Sequence, residues 1–157
     1  MSSSGKSKTA SPKLKKAFVV VIRTEWNAAI VDKLFEGCKK ILEAEKIEWQ
    51  DYLVPGAIEI PFAIKKTWDM SGKKKPDAFI ALGCVIKGDT PHFEYVFRSV
   101  TDGITTLNLQ LPVPVIFGVL TVETEDQAKQ RVGGVHGHKG EEAAEAAIKM
   151  ISFSRSF

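Results

Sequence analysis

"DAFIALGCVIKGDTPHFEYV", residues 77–96, carries an apolar run that stops at a glycine, a proline and a histidine. A stretch such as "DAFIALGCVI" (77–86), nearly unbroken in apolar residues and bounded by turn residues, is expected of a strand covered on both faces, as in a parallel sheet. Gly88 lets the backbone come close to a ligand, and Pro91 suits the start of a helix, so His92 falls in that helix's first turn. A strand end followed by a helix start makes a rim of outward-pointing N–H groups at the positive end of a helix dipole. With Asp89 or Thr90 as a cap this is an anion site, and an imidazole there can exchange protons near neutral pH.

The same reading extends outward to three more strands, at 17–22, 47–54 and 113–120. Residues 28–45 repeat Ile30, Leu34, Cys38, Ile41 and Leu42 at helical spacing, with Lys and Glu on the other side. A second helix runs from Glu59 to about Met70, with Pro61 tolerated in its first turn. The third starts near Pro91 and keeps Val96, Val100, Ile104 and Leu107 on one stripe. Two more helical segments, about 124–132 and 140–151, are divided by "GGVHGHKG". This strand–helix alternation predicts an α/β fold: a three-layer, flavodoxin-like sandwich with a four-stranded parallel sheet and right-handed crossovers. Ligands of such sheets bind beyond the carboxyl ends of the strands.

At 157 residues, 44% hydrophobic and 26% charged, the sequence suits one domain with a substantial core, expected at 17–157. The net charge of +3 is misleading, because five of the 22 basic residues lie in residues 1–16, leaving 17 against 19 acidic ones. "MSSSGKSKTASPKLKK" reads as a disordered basic arm, and the fold itself lacks the basic excess that nucleic-acid binding requires. The arm has no arginine and no apolar face, which argues against a transit or signal peptide, and no run approaches a membrane span. Cys38 and Cys84 fall in a helical and a strand pattern, as two buried thiols of a cytoplasmic protein would. No metal set is expected around His136 and His138, because no carboxylate or cysteine completes it.

The unusual residues collect where the strands run out. After the first strand, Trp26 in "RTEWN" is placed either to stack on a planar heterocycle or to cover core. After the second, Glu59 in "VPGAIEIP" either complements a helix dipole or accepts hydrogen bonds from a polyol. Arg131 and Lys139 stand in "QRVGGVHGHKGEEAA" (130–144), whose glycines either form a mobile basic loop that closes over a phosphate or simply end one helix and begin another. Trp49, Trp68 and the methionines read as packing.

Taken in order, "RTEWN", "VPGAIEIPFAIKK", "ALGCVIKGDTPHFEYV", "VPVIFGVLT", "QAKQR" and "GHKGEEAAEAAIKM" resemble the lumazine synthase family over about residues 17–151. The resemblance implies a transferase of riboflavin biosynthesis. It would condense 5-amino-6-ribitylaminouracil with 3,4-dihydroxy-2-butanone 4-phosphate, giving 6,7-dimethyl-8-ribityllumazine and phosphate, without metal or cofactor. It implies that Trp26 stacks on the pyrimidine, that Ala57, Ile58 and Glu59 bind the ribityl chain, and that Cys84, Val85 and Ile86 line the ring pocket through backbone. Asp89, Thr90 and Arg131 would hold the phosphate with help from Lys139, His92 would transfer protons, and Phe117 would reach the ring from an adjacent subunit. A homo-oligomer follows, a pentamer or a 60-mer shell of pentamers, with riboflavin synthase a further partner. The short loop between the last two helices suits a shell, whereas Pro12 and the lysine-rich arm oppose contacts between pentamers. This sequence departs from the family at Trp26, where phenylalanine is common, at Val135, where lysine is frequent, and at His138, where asparagine is usual. A non-catalytic flavin- or lumazine-binding protein would use the same pocket residues without needing His92, and a shell-forming scaffold on the same fold would depend on its surface and assembly.

Overall fold

The computed structural model describes residues 9–157. Strands β1 (Phe18–Thr24), β2 (Glu48–Val54), β3 (Ala78–Ile86) and β4 (Val115–Val122) form one parallel sheet in the order β2-β1-β3-β4. Between and after them come helices α1 (Ala28–Ala44), α2 (Ile60–Met70), α3 (His92–Gln110), α4 (Glu125–Lys129) and α5 (Lys139–Arg155). Each expected strand is present, with ends shifted by at most two residues.

Side chains alternate across the strands, and each face has its own core. Val19, Val21, Ile80 and Leu82 pack with α1 and α5 on one side, while Val20, Ile22, Phe79 and Ala81 pack with α2 and α3 on the other. The central β3 is buried at every position but Ile86, which its apolar sequence requires. Strand β2 lies at an edge, and its sequence, "EWQDYLV", keeps polar residues along its length for that reason.

From β1 the chain passes through α1 to β2 on one flank, and then must return across β1 to reach β3 on the other. The connection α2 therefore packs on the opposite face from α1. The strand order reverses between β1 and β3, the point at which sheets of this kind take up ligands beyond the carboxyl ends of the strands.

Three local features differ from the expected pattern. The second helix is preceded by a 3-10 turn, Ala57–Glu59, with Pro61 in the first turn of α2. The segment read either as a mobile basic loop or as a divider between two helices forms a hairpin, β5 (Val132–Gly134) and β6 (Gly137–His138), and α4 stops at Lys129. Its positive-φ glycines, Gly133 (φ 105°) and Gly137 (φ 79°), supply the turn geometry that side-chain-bearing residues resist. Of the expected basic arm, residues 1–8 lie outside the described residues. Residues 9–16 contain neither helix nor strand, but Leu14 packs partly against the α1–α5 core and the Lys15 carbonyl accepts a hydrogen bond from Arg155 Nη1 at 2.7 Å.

Candidate active site

The β1–β3 ladder ends at Arg23 opposite Leu82, yet β3 continues to Ile86. The carbonyl of Cys84 thus lies beyond β1's last paired residue, and the Asn27 side chain fills the gap, donating from Nδ2 at 2.7 Å. Asn27 can do so because it takes the left-handed conformation (φ 59°), which asparagine tolerates better than most residues. On the other side the loop is held to the end of β2: Glu25 N–H donates to the Val54 carbonyl at 2.8 Å and Trp26 N–H to Pro55 at 3.1 Å. Buried Thr24 adds a hydroxyl hydrogen bond to the Trp26 carbonyl at 3.3 Å.

Trp26 is therefore held through its backbone on the rim, 65% exposed and outside both core clusters. Its six-membered ring lies against Gly56, where an added Cβ would come within 2.4 Å of Cε3. Glu59 Oε2 accepts the Gly56 N–H at 3.0 Å and so fixes the backbone on which the indole rests. Ala57 is buried, whereas Ile58 is exposed beside the same turn. Neither Asn27 nor Gly56 stood out as a site residue in the sequence; the signals were an asparagine directly after the loop tryptophan and a Pro-Gly pair at a strand end.

Cys84 and Ile86 turn their side chains toward the α1–α5 core, and Val85 turns toward α2 and α3. Burial, aided by the charge of Glu125, pushes the Cys84 thiol up to about 11; burial pushes Cys38 up to about 12. Both stay protonated at neutral pH, which removes them as nucleophiles. What Cys84 presents to the rim is backbone. After β3, Lys87 N–H donates to the Val122 carbonyl at 2.9 Å, and Asp89, Thr90 and His92 follow, all exposed. The Thr90 hydroxyl accepts the His92 N–H at 3.4 Å, and His92 opens α3 as expected.

Phe117, Arg131 and Lys139 lie elsewhere. Together with Thr121, Glu142 and Ala143 they line a cavity of about 450 Å³ on the open edge of β4. Arg131 Nη1 donates to the Gln127 carbonyl at 2.7 Å, Lys139 N–H donates to the Arg131 carbonyl at 2.8 Å, and Lys139 Nζ pairs with Glu142 Oε2 at 2.9 Å. Trp26, Glu59 and His92 do not line this cavity. The candidate residues thus form two groups, one following the carboxyl ends of β1, β2 and β3 and one at the sheet's free edge.

Of the residues read as packing, Trp49 meets Phe35 edge-on with ring centroids 5.6 Å apart, and Trp68 packs against the α2–α3 core. Met70 does not pack: it is 70% exposed at the end of α2, where it fronts a cavity beside Tyr52 of edge strand β2. Among the described residues no group of three or more His, Cys, Asp or Glu side chains is placed to hold a metal ion. No helix among them is long and apolar enough to cross a membrane.

Residues 16–155 match the family model described as 6,7-dimethyl-8-ribityllumazine synthase. Proteins of that name are similar over most of their length. That of Parabacteroides distasonis is 46% identical over 137 residues, covering 85% of this chain and 84% of its own. That of Bdellovibrio bacteriovorus is 48% identical over 138 residues (87% and 75%), and that of Flavobacterium psychrophilum 42% over 149 (91% and 76%). With a sheet order and a β3–α3 rim that suit this match, the chain belongs to the 6,7-dimethyl-8-ribityllumazine synthase family.

Proposed function

We propose that this protein condenses 5-amino-6-ribitylaminouracil with 3,4-dihydroxy-2-butanone 4-phosphate, releasing 6,7-dimethyl-8-ribityllumazine and phosphate. The observation that carries the site assignment is the separation of its residues into two groups on different flanks of the sheet. A site assembled between copies needs that division: the rim of one subunit meets the β4 edge of the next, bringing Phe117, Arg131 and Lys139 to Trp26 and His92. The protein is then a homo-oligomer by necessity of its chemistry. A pentamer is the smallest assembly the family resemblance implies; sedimentation velocity separates it from a 60-mer shell, and co-sedimentation tests riboflavin synthase as a partner. Two free, buried thiols suit a cytoplasmic location.

The roles are those that the family resemblance implies. Trp26 stacks on the pyrimidine, Ala57, Ile58 and Glu59 receive the ribityl chain, and the backbone of Cys84, Val85 and Ile86 lines the ring. Asp89, Thr90, Arg131 and Lys139 hold the phosphate. The 5-amino group attacks the ketone carbon; His92 moves protons as the carbinolamine loses water to become an imine. Phosphate then leaves by elimination, and the ribityl-bearing nitrogen closes the second ring with loss of water. Incubation with both substrates should yield the lumazine absorbance and phosphate in equal amounts. Tight binding of the uracil without turnover, in an intact oligomer, would instead assign the chain to the binding-only class.

Trp26 also predicts flavin binding, because riboflavin shares the pyrimidine ring and the ribityl chain of the uracil substrate. Ring stacking adds about 0.5–1.5 kcal/mol beyond buried area, so Trp26→Ala should weaken riboflavin binding several-fold. Trp49 lies near the start of β2 and Trp68 near the end of α2, both at the opposite end of the sheet from the rim. Trp49→Phe and Trp68→Phe should leave the fluorescence-titration midpoint unchanged; a common midpoint for all variants would remove Trp26 from the platform.

A further inference from the structure

We propose that His138 is a positioning residue for the phosphate-binding pair Arg131 and Lys139, acting as a wedge and cap that sets the start of α5 on α1. The inference rests on the phosphate role given above to those two residues. His138 is the N-cap of α5, and its Nδ1 accepts the Glu141 N–H at 3.3 Å. Its ring is pressed against Gly37 of α1: a Cβ there would lie 2.1 Å from Cε1, 2.5 Å from Nδ1 and 2.6 Å from Nε2.

Two neighbours secure the same docking. At Gly140 an added Cβ would fall 1.9 Å from the Leu34 carbonyl oxygen, so the α5 backbone sits directly on α1. Glu141 pairs with Lys40 of α1 at 3.0 Å. The start of α5 is thus anchored on α1 by His138, Gly140 and Glu141 together. His138 has extended backbone (φ −128°, ψ 102°), where successive side chains point to opposite sides. With His138 turned onto α1, Lys139 is turned toward the β4-edge cavity that it lines. His138 also pairs with Val132 across the hairpin, and Lys139 N–H donates to the Arg131 carbonyl at 2.8 Å. One ring therefore fixes both cations relative to the cavity while standing on the far side of the backbone from it. This also accounts for the departure from asparagine: Asn Oδ1 and His Nδ1 are each two bonds from Cβ, so both can cap, and the imidazole additionally fills the space over Gly37.

The test is steady-state kinetics of the assembled protein with each substrate varied, beside thermal melting. His138→Ala should raise KM for the ketone phosphate about three- to ten-fold, the span expected when a cap is lost, with kcat and KM for the uracil within about twofold of the parent. His138→Asn should restore most of that KM. Gly37→Ala, which drives the ring out from the α1 side, should reproduce the His138→Ala split and keeps the test informative if His138→Ala does not fold. Adding His138→Asn to Gly37→Ala should relieve the defect. A lower melting temperature with unchanged KM values, an equal rise for both substrates, or failure of His138→Asn to rescue would overturn the positioning role. Arg131→Ala serves as reference. If it raises KM for the ketone phosphate while His138→Ala does not, only the positioning role fails; if neither does, the phosphate assignment fails and this inference falls with it.

Discussion

His92→Ala is expected to slow turnover by roughly 10- to 1,000-fold while substrate binding is retained. The imidazole stands exposed at the first residue of α3, on the rim that follows β3. Its position comes from backbone: the Thr90 hydroxyl accepts its N–H, Pro91 precedes it, and β3 behind it is buried along nearly its whole length. Alanine keeps each of these and starts a helix equally well, so the fold and the rim should survive. What is lost is a proton carrier at the carbinolamine and imine stages, for which water is a partial substitute; the loss should therefore fall in kcat and not in KM. His92→Gln, which retains hydrogen bonding but not proton transfer near neutral pH, should resemble alanine. Turnover unchanged in both variants would make His92 a structural residue.

The α/β class and the rim after β3 were legible because an apolar strand, a glycine and a proline-led helix start leave few other solutions for "AFIALGCVIKGDTPHF". Trp26 was legible as a candidate, but its two readings could be separated only by structure, since what fixes it is distant in sequence: Asn27 reaching the Cys84 carbonyl and Gly56 lying under the indole. The hairpin at 132–138 escaped because it has three glycines and no strand alternation, so its pairing depends on tertiary support from α1. Nor could spacing reveal that Arg131 and Lys139 share a cavity with Phe117 on the sheet's free edge and not with His92. That separation is what the proposed assembly of the site between copies requires.

It also gives the second large effect a defined form. Arg131→Ala should raise KM for the ketone phosphate about 10- to 100-fold and leave KM for the uracil within about twofold, as loss of charge-assisted hydrogen bonds worth about 1.5–3 kcal/mol requires. Arg131 Nη1 is already held by the Gln127 carbonyl at 2.7 Å, so the guanidinium is oriented before phosphate arrives and little side-chain freedom remains to be lost. The hairpin should tolerate the change, because the bond from Lys139 N–H ends on the Arg131 backbone carbonyl, which alanine retains. Lys139 remains at the cavity but is paired with Glu142 at 2.9 Å, which limits how far its ammonium can compensate. Arg131→Lys should recover only part of the loss, since an ammonium lacks the planar fork that engages two phosphate oxygens at once. The effect should also shrink as ionic strength rises, because the parent's KM is itself weakened by screening. An equal rise in KM for both substrates would place the damage in the loop's fold; an unchanged KM for the ketone phosphate would remove Arg131 from the phosphate site.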